Sequence, residues 1–193
     1  MSPASGTTTQ HRHKNVVEAV LGLEPDAVAY VPSNSIAAII NGLTESSDER
    51  TRVFPVSREE EAVGIIGALP LAGKFGVIVM QDNGFGNALT ALTTFAASYH
   101  LPILILANTR GGLGEYNSMI HAISAPVPEL LRAANIPVFG LDRRNPPEDW
   151  RATVAEAGRH ARMTYRPVVV LMEFFDYFHH LPHRLFTDKE ARA

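Results

Sequence analysis

Cysteine is absent from this chain of 193 residues, and its absence excludes several kinds of chemistry. The chain can have no disulfide framework, no thiolate zinc site and no cysteine nucleophile. Disulfides are rare in the reducing cytosol, so a chain without cysteine is consistent with a cytoplasmic protein. The length suits one ordinary domain with a sizeable hydrophobic core.

Long apolar runs and a strong charge of one sign are also missing. No apolar stretch reaches the roughly 20 residues that a membrane-spanning helix needs. The first residues, MSPASGTTTQHRHKN, contain no apolar run typical of a signal peptide. The net charge is −3, with both signs spread along the chain, which argues against nucleic acid or membrane partners. We therefore expect a soluble, cytoplasmic protein.

Short apolar runs alternate with segments of helical spacing over most of the chain. The runs that predict buried strands are AVAYV (27–31), TRVFPV (51–56), FGVIVM (75–80), PILILA (102–107), PVFGL (137–141) and RPVVVLME (166–173). This alternation predicts an α/β fold, an open parallel sheet with helices on both faces. We predict a disordered N-terminal segment over 1–13, one domain over 14–173 and a C-terminal tail over 174–193 that is a candidate interface.

Ligands of open α/β sheets collect at the carboxyl ends of the strands, so the loops there are the candidate site. The loops in question are PSNS (32–35), QDNGFGN (81–87) and NTRGGLGE (108–115). Gly84 and Gly86 follow a strand and open a helix, but Leu89 replaces the third glycine of a dinucleotide fingerprint. The two glycines could also serve only to permit a tight turn.

Three consecutive glutamates, Glu59 to Glu61, stand at the head of an apolar helix predicted over 59–72. Ser57 and Glu60 have the spacing of a capping box, so we predict that Glu60 caps the helix and that Glu61 faces water. The helix has almost no polar face, so a carboxylate at its head is partly desolvated. Such a group suits acid–base chemistry, although Glu59 could equally be an ordinary first-turn acid.

Taken together, these stretches resemble the pyrimidine-binding (PYR) domain of thiamine diphosphate enzymes, above all the decarboxylases of sulfopyruvate and phosphonopyruvate. These families have a glutamate before x-x-Ala-Val at the start of an apolar helix, a strand that ends in Met-Gln, and a Gly-x-Gly-Asn turn. The resemblance extends from about residue 16 to residue 172, and the segments that carry it are, in order, YVPSNSIAAII, REEEAVGIIGALPLAG, VIVMQDNGFGNAL and LPILILANTRGGLGE. The resemblance implies that 14–173 is a PYR domain.

The resemblance implies that Glu59 is the catalytic glutamate, because Ala62 and Val63 follow it at the family's spacing. In the family this carboxylate hydrogen-bonds N1′ of the cofactor's aminopyrimidine and favours its imino tautomer, which then removes the proton from thiazolium C2. The cofactor is the electron sink for decarboxylation of a 2-oxo acid. The cofactor contacts implied by the resemblance are Glu59, Gln81, Gly84, Gly86 and Asn87.

A 2-oxo acid with a second anionic group needs cationic and hydrogen-bonding partners at the strand ends. The candidate substrate contacts are Ser33, Asn34, Ser35, Arg110 and His121. A guanidinium can bind a sulfonate or phosphonate through two parallel hydrogen bonds, which favours Arg110. Arg110 could instead pair with Glu115 and brace its own loop.

The Gly-Asp-Gly motif, which marks the diphosphate-binding domain of these enzymes, is absent from the chain. The resemblance therefore implies an alpha subunit, with magnesium and the diphosphate held by a beta subunit that carries Gly-Asp-Gly and a downstream asparagine. We expect a hetero-tetramer or larger assembly that converts sulfopyruvate to sulfoacetaldehyde and carbon dioxide. The alternatives are a phosphonopyruvate decarboxylase subunit and a non-catalytic regulatory or structural subunit.

No metal site is expected on this chain. The histidines of the C-terminal tail lack a fourth ligand, so we predict surface or subunit-contact roles for them: His179, His180 and His183. The tail aromatics are predicted to belong to the core or to an interface: Phe174, Phe175, Tyr177 and Phe178.

Overall fold

Six parallel strands form the sheet of the computed structural model, which describes residues 3–112, 115 and 117–174, with side chains from residue 8 onward. The strand order is β2-β1-β3-β4-β6-β5. The strands are β1 (Ala27–Tyr30), β2 (Arg52–Pro55), β3 (Gly76–Gln81), β4 (Ile103–Asn108), β5 (Val138–Leu141) and β6 (Pro167–Met172). The prediction of an α/β fold with an open parallel sheet is confirmed.

Helices cover both faces of this sheet. They are α1 (Pro3–Gly22), α2 (Ala37–Ser46), α3 (Glu59–Ala68), α4 (Phe85–Ala91), α5 (Ser118–Ser124), α6 (Val127–Ala133) and α7 (Pro147–Thr164). Strand residues alternate between two cores: Val77 and Val79 of β3 pack with α1, α2 and α7, whereas Ile78 and Met80 pack with α3, α4 and α6. Among the described helices, none is long and apolar enough to span a membrane.

The N-terminal segment differs from the sequence-based expectation, because residues 3–13 belong to α1 rather than to a disordered stretch. Polar side chains fix this part of the helix against the segment that leads into α7. Arg12 Nη2 donates to the carbonyl oxygen of Arg143 at 2.7 Å, and Asn15 Nδ2 donates to that of Pro147 at 2.7 Å. A polar composition alone could not reveal these partners, which lie more than a hundred residues away.

Two helices change their type of winding near their ends. The helix expected over 59–72 is α-helical only to Ala68 and continues as a 3₁₀ turn over Leu69–Ala72. Pro70 accounts for this change, since it has no backbone N–H to donate within the helix. The apolar segment after α4 continues as a π-helical turn over Leu92–Ala97.

Candidate active site

Glu59 is the first residue of α3, and its half-buried carboxylate lies beside the start of α4. Asn87 Nδ2 donates to Glu59 Oε2 at 2.9 Å, which joins the two helices across the carboxyl edge of the sheet. Asn87 itself is exposed. The structure thus brings together two of the residues that the sequence placed in one site.

Gly84 is the residue that makes room for the Glu59 side chain. A Cβ atom at this position would lie 2.4 Å from Glu59 Cγ and 2.7 Å from Glu59 Oε1. The φ angle of Gly84 is −63°, so the requirement here is space and not a left-handed backbone. Gly86 has more freedom, since the nearest atom to its Cβ would be Ile123 Cγ1 at 3.4 Å.

The other two glutamates do not follow the predicted capping box. The N-cap residue of α3 is Arg58, one position later than expected, and its side chain makes no cap hydrogen bond. Glu61 is therefore the third helical residue, and its Oε2 accepts a hydrogen bond from the Ser57 backbone N–H at 3.0 Å. Glu60 forms an ion pair with Arg58 at 2.8 Å. The assignments of Glu60 to the cap and Glu61 to water alone were wrong, because the N-cap residue is Arg58 and not Ser57.

Gln81, the last residue of β3, contacts the loop that follows β1. Its Nε2 lies 2.5 Å from Ser33 Oγ and 2.6 Å from Ser35 Oγ, and the two hydroxyl oxygens are 3.0 Å apart. Asn34, between the serines, is exposed. The structure therefore joins Gln81, predicted as a cofactor contact, to two residues that were predicted to contact the substrate.

Asp82 is a buried carboxylate that the sequence analysis missed, with 1% of its surface exposed. Its Oδ2 accepts from the Arg110 backbone N–H at 2.9 Å, and its Oδ1 accepts from Ser124 Oγ at 2.5 Å. Burial raises the pKa of Asp82, and the hydrogen bonds from Ser124 and Arg110 oppose that rise. Asp82 thus ties the end of β3 to the loop after β4 and to α5. The signal in the sequence was an acidic residue directly after a buried strand.

Arg110 forms the ion pair that the sequence analysis had kept as an alternative. Its Nε lies 2.5 Å from Glu115 Oε2, and the two side chains are 16% and 8% exposed. His121 lies in α5 and is exposed, and within the described part of the chain no side-chain hydrogen bond joins it to the other candidates. The structure therefore places Arg110 in the wall of the site, and it does not bring His121 into contact with the serines.

Asn108, the last residue of β4, is a second polar residue that the sequence analysis missed. It lies opposite Gln81 in the β3–β4 register, and it is fully buried. Neither atom of its amide has a hydrogen-bond partner among the residues described. The strand pattern alone marked this position only as the start of a loop.

The predictions about metal ligands and about the C-terminal tail can be compared with the described residues only in part. Within the described ranges, no group of three or more histidine, aspartate or glutamate side chains could hold a metal ion. Phe174 packs on Trp150, with ring centroids 4.7 Å apart. The remaining tail residues singled out above lie outside the described residues: Phe175, Tyr177, Phe178, His179, His180 and His183.

The carboxyl edge of the sheet thus carries two different polar groups. On the side of α3 and α4, the Glu59 carboxylate has one oxygen held by Asn87, and its Oε1 accepts no hydrogen bond from the described residues. This carboxylate can accept a hydrogen bond or exchange a proton with a bound molecule. On the side of α1 and α2, the serine hydroxyls and the Gln81 amide offer uncharged donors.

The chain is similar in sequence to proteins whose names state an activity. No family model matches the chain. The alpha subunit of sulfopyruvate decarboxylase from Methanococcus maripaludis is 30% identical over 158 residues, which cover 82% of this chain and 92% of that protein. The corresponding subunit from Methanothermobacter thermautotrophicus is 31% identical over 148 residues, 77% of this chain and 87% of that protein.

A phosphonopyruvate decarboxylase is similar over a shorter part. The protein from Streptomyces viridochromogenes is 30% identical over 107 residues, which cover 55% of this chain but only 26% of that longer protein. The matches to the sulfopyruvate decarboxylase subunits, in contrast, cover nearly the whole of each relative. The chain belongs to the family of sulfopyruvate decarboxylase alpha subunits.

Proposed function

We propose that this chain is the alpha subunit of a thiamine diphosphate-dependent decarboxylase, which converts sulfopyruvate to sulfoacetaldehyde and carbon dioxide. The observation that carries the proposal is the Glu59 carboxylate, which lies over Gly84 and is held by Asn87 at the carboxyl edge of the sheet. A non-catalytic subunit would not need this arrangement. The names of the two archaeal relatives support sulfopyruvate as the substrate.

The Glu59 site fits the pyrimidine end of the cofactor. Asn87 fixes Oε2 of the carboxylate, so Oε1 is the oxygen that can hydrogen-bond a ring nitrogen and exchange a proton with it. Gly86 and Asn87 are exposed beside it and can contact a bound ring. When bound, thiamine diphosphate supplies the electron sink that decarboxylation of a 2-oxo acid requires. The part of this chain is to orient the pyrimidine and to hold or release one proton at Glu59.

A partner subunit supplies the rest of the active site in this proposal. The chain has no Gly-Asp-Gly motif, and its relatives are named as alpha subunits. A beta subunit with that motif and a downstream asparagine would hold magnesium and the diphosphate. The active assembly would then be a hetero-tetramer or larger, with each site between an alpha and a beta chain.

Sulfopyruvate is preferred to phosphonopyruvate for a reason of chain architecture. The chain covers about nine tenths of the sulfopyruvate decarboxylase subunits but about a quarter of the phosphonopyruvate decarboxylase. A short separate chain is therefore a form found among the sulfopyruvate decarboxylases, although another protein of that name, from Methanosarcina acetivorans, is longer, and the match covers 31% of it. Phosphonopyruvate remains the second candidate substrate, since both acids carry a terminal anionic group.

Replacing Glu59 with glutamine tests the proposed function. In the assembled enzyme, Glu59→Gln should lower kcat for sulfopyruvate by about a hundredfold or more, because glutamine keeps the hydrogen bond but cannot exchange the proton. Circular dichroism and subunit assembly should be unchanged. The rate of sulfoacetaldehyde formation is the measurement.

The control for that variant is the same substitution one residue later. Glu60 forms an ion pair with the exposed Arg58, and such surface pairs contribute little to stability, so Glu60→Gln should retain nearly full activity. Equal losses in the two variants would show that Glu59 is not the catalytic glutamate.

A further inference from the structure

A groove of about 420 Å³ lies between α1 and α2, away from the candidate active site. Its apolar lining is formed by Val17 and Leu21 of α1 and by Ala38 and Gly42 of α2. The two helices pack directly on each other here, since a Cβ atom at Gly42 would lie 2.9 Å from Val17 Cγ2. The α1–α2 groove is therefore a concave apolar surface along the contact of two helices.

The charged residues at this groove already have partners. Lys14 Nζ lies 3.7 Å from Glu18 Oε1, and Arg151 of α7 lies 3.0 Å from the other carboxylate oxygen of Glu18. Because the carboxylate is paired on both sides, the groove is better suited to apolar side chains than to a charged ligand. Exposed apolar surfaces of this kind are typical of sites that another segment covers.

The described part of the chain ends beside the α1–α2 groove. Phe174 packs on His13 with ring centroids 4.5 Å apart, and His13 lines the groove. On its other side Phe174 packs on Trp150, at 4.7 Å. Residue 175 therefore follows directly from a residue that contacts the wall of the groove.

The sequence after Phe174 lies outside the described residues, and its first part, FDYFHHLPHRLFT (175–187), is rich in large apolar side chains. They are Phe175, Tyr177, Phe178, Leu181, Leu185 and Phe186. Covering such side chains is favourable by about 25 cal/mol per Å² of apolar surface removed from water. The final residues, DKEARA (188–193), are mostly charged and are suited to water. The composition thus divides the C-terminal residues into an apolar segment and a polar end.

The apolar segment is long enough for the groove. From Gln10 to Leu21, which both line the groove, α1 rises by roughly 17 Å at about 1.5 Å per residue. About five or six extended residues cover that distance. Because the segment is attached at Phe174, its effective concentration at the groove is on the order of millimolar, which favours it over the same segment of a second chain.

We propose that the α1–α2 groove binds the chain's own C-terminal segment, residues 175–187, with Phe174 as the anchor. Binding covers the apolar lining of the groove and the apolar side chains of the segment. It also supports the first turn of α2, which directly follows the Ser33–Ser35 loop of the candidate site. This inference does not depend on the proposed function, so either can fail without the other.

Paramagnetic broadening in the full chain tests the proposal. The chain has no cysteine, so Ser46→Cys gives a single attachment point for a nitroxide at an exposed position that borders the groove. The backbone amide signals of residues 175–187 should broaden strongly. A nitroxide at Ala68→Cys, an exposed position of α3 on the other face of the sheet, is the control and should leave them sharp. Sharp signals with the label at position 46 would overturn the proposal.

A mixed sample shows whose segment is bound. It contains isotope-labelled wild-type chain without nitroxide and unlabelled Ser46→Cys chain with nitroxide. Only a segment that binds the groove of another copy would broaden in this sample. We expect sharp signals, and broadening as strong as in the singly labelled chain would overturn the assignment to the same chain.

A charge placed in the groove should release the segment. Ala38→Asp puts a carboxylate against the apolar side chains, whereas an acid in the first turn of α2 does not weaken that helix. Trypsin should cut after Arg184 about tenfold faster in this variant than in the wild type, because cleavage requires the released segment. Ala152→Asp, at an exposed position of α7, should be cut at the wild-type rate. Equal rates in Ala38→Asp and the wild type would contradict the proposal.

Discussion

At the scale of single residues, Asp82 connects the segments that border the site. It receives hydrogen bonds from the Arg110 backbone and the Ser124 hydroxyl while almost completely buried. Two segments that are distant in sequence are thereby fixed to the end of β3. The cost is a carboxylate removed from water, whose pKa is raised by burial.

The raised pKa of Asp82 gives the stability of the protein a pH dependence. An acid whose folded-state pKa lies above its unfolded value stabilises the fold when protonated, and this contribution is lost as the pH rises through the folded-state pKa. Asp82→Asn can accept from Arg110 and donate to Ser124 without a charge. The stability of this variant should not fall with pH in this way. We therefore expect its free energy of unfolding to increase relative to that of the wild type between about pH 4 and pH 7.

Urea denaturation of both proteins across this pH range measures the effect. Asp149→Asn, in the exposed first turn of α7, is the control and should run parallel to the wild type. A constant difference between Asp82→Asn and the wild type at every pH would show that Asp82 does not titrate in the folded protein over this range.

The residues of the site differ in how well the sequence could predict them. The spacing of Glu59, Gly84 and Asn87 within family motifs brought all three to one place, and the structure joins them directly. The Gln81–Ser33 contact joins residues 48 positions apart, and it depends on the pairing of β1 with β3. Because no local pattern encodes such a register, the contact between Gln81 and the serines could not be predicted from the sequence.

At the scale of secondary-structure elements, the turn between β3 and α4 determines where Glu59 can lie. The α3 and α4 helices meet at this turn, and the Glu59 side chain crosses it at Gly84. We expect Gly84→Ala to displace the carboxylate and to lower kcat about a hundredfold, the loss typical of a misplaced catalytic group. The free energy of unfolding should change by only about 1 kcal/mol, because the Glu59 side chain can move away from the added methyl group.

A glycine of α3 itself provides the comparison for that variant. A Cβ atom at Gly64 would meet no atom within 4 Å, so Gly64→Ala should keep full activity. It should also stabilise the protein by roughly 0.5–1 kcal/mol through helix propensity. Steady-state kinetics and thermal denaturation of both variants are the measurements. A Gly84→Ala enzyme with wild-type kcat would show that the placement of Glu59 is not critical.

Helix boundaries show why elements are easier to predict than their ends. The apolar strands and their order along the chain followed from the pattern of burial, because both faces of a parallel sheet are covered. The N-cap of α3 is Arg58 and not the predicted Ser57, and this changed the roles of Glu60 and Glu61. The N-terminal half of α1 was missed because Arg12 and Asn15 obtain their partners from the distant segment before α7 and its first residue.

At the scale of the whole molecule, the described site is open on one side. Asn34, Gly86 and Asn87 are exposed at the carboxyl edge of the sheet. The Glu59 group and the serine group lie on opposite sides of this edge, and the described residues offer no metal-holding cluster between them. A diphosphate group bound there would need cationic or metal partners that the Glu59 group and the serine group do not supply.

The last prediction concerns assembly. The isolated chain should bind thiamine diphosphate weakly and should not decarboxylate sulfopyruvate, because the proposed diphosphate and magnesium ligands belong to the beta subunit. Co-expression with a chain that carries Gly-Asp-Gly should give a complex with tightly bound cofactor and full turnover. Titration of the cofactor into the single chain and into the complex, with parallel activity assays, measures the difference. The Glu59→Gln chain should still form the complex, which separates assembly from catalysis. Full turnover by the purified single chain would show that this fold carries a complete active site.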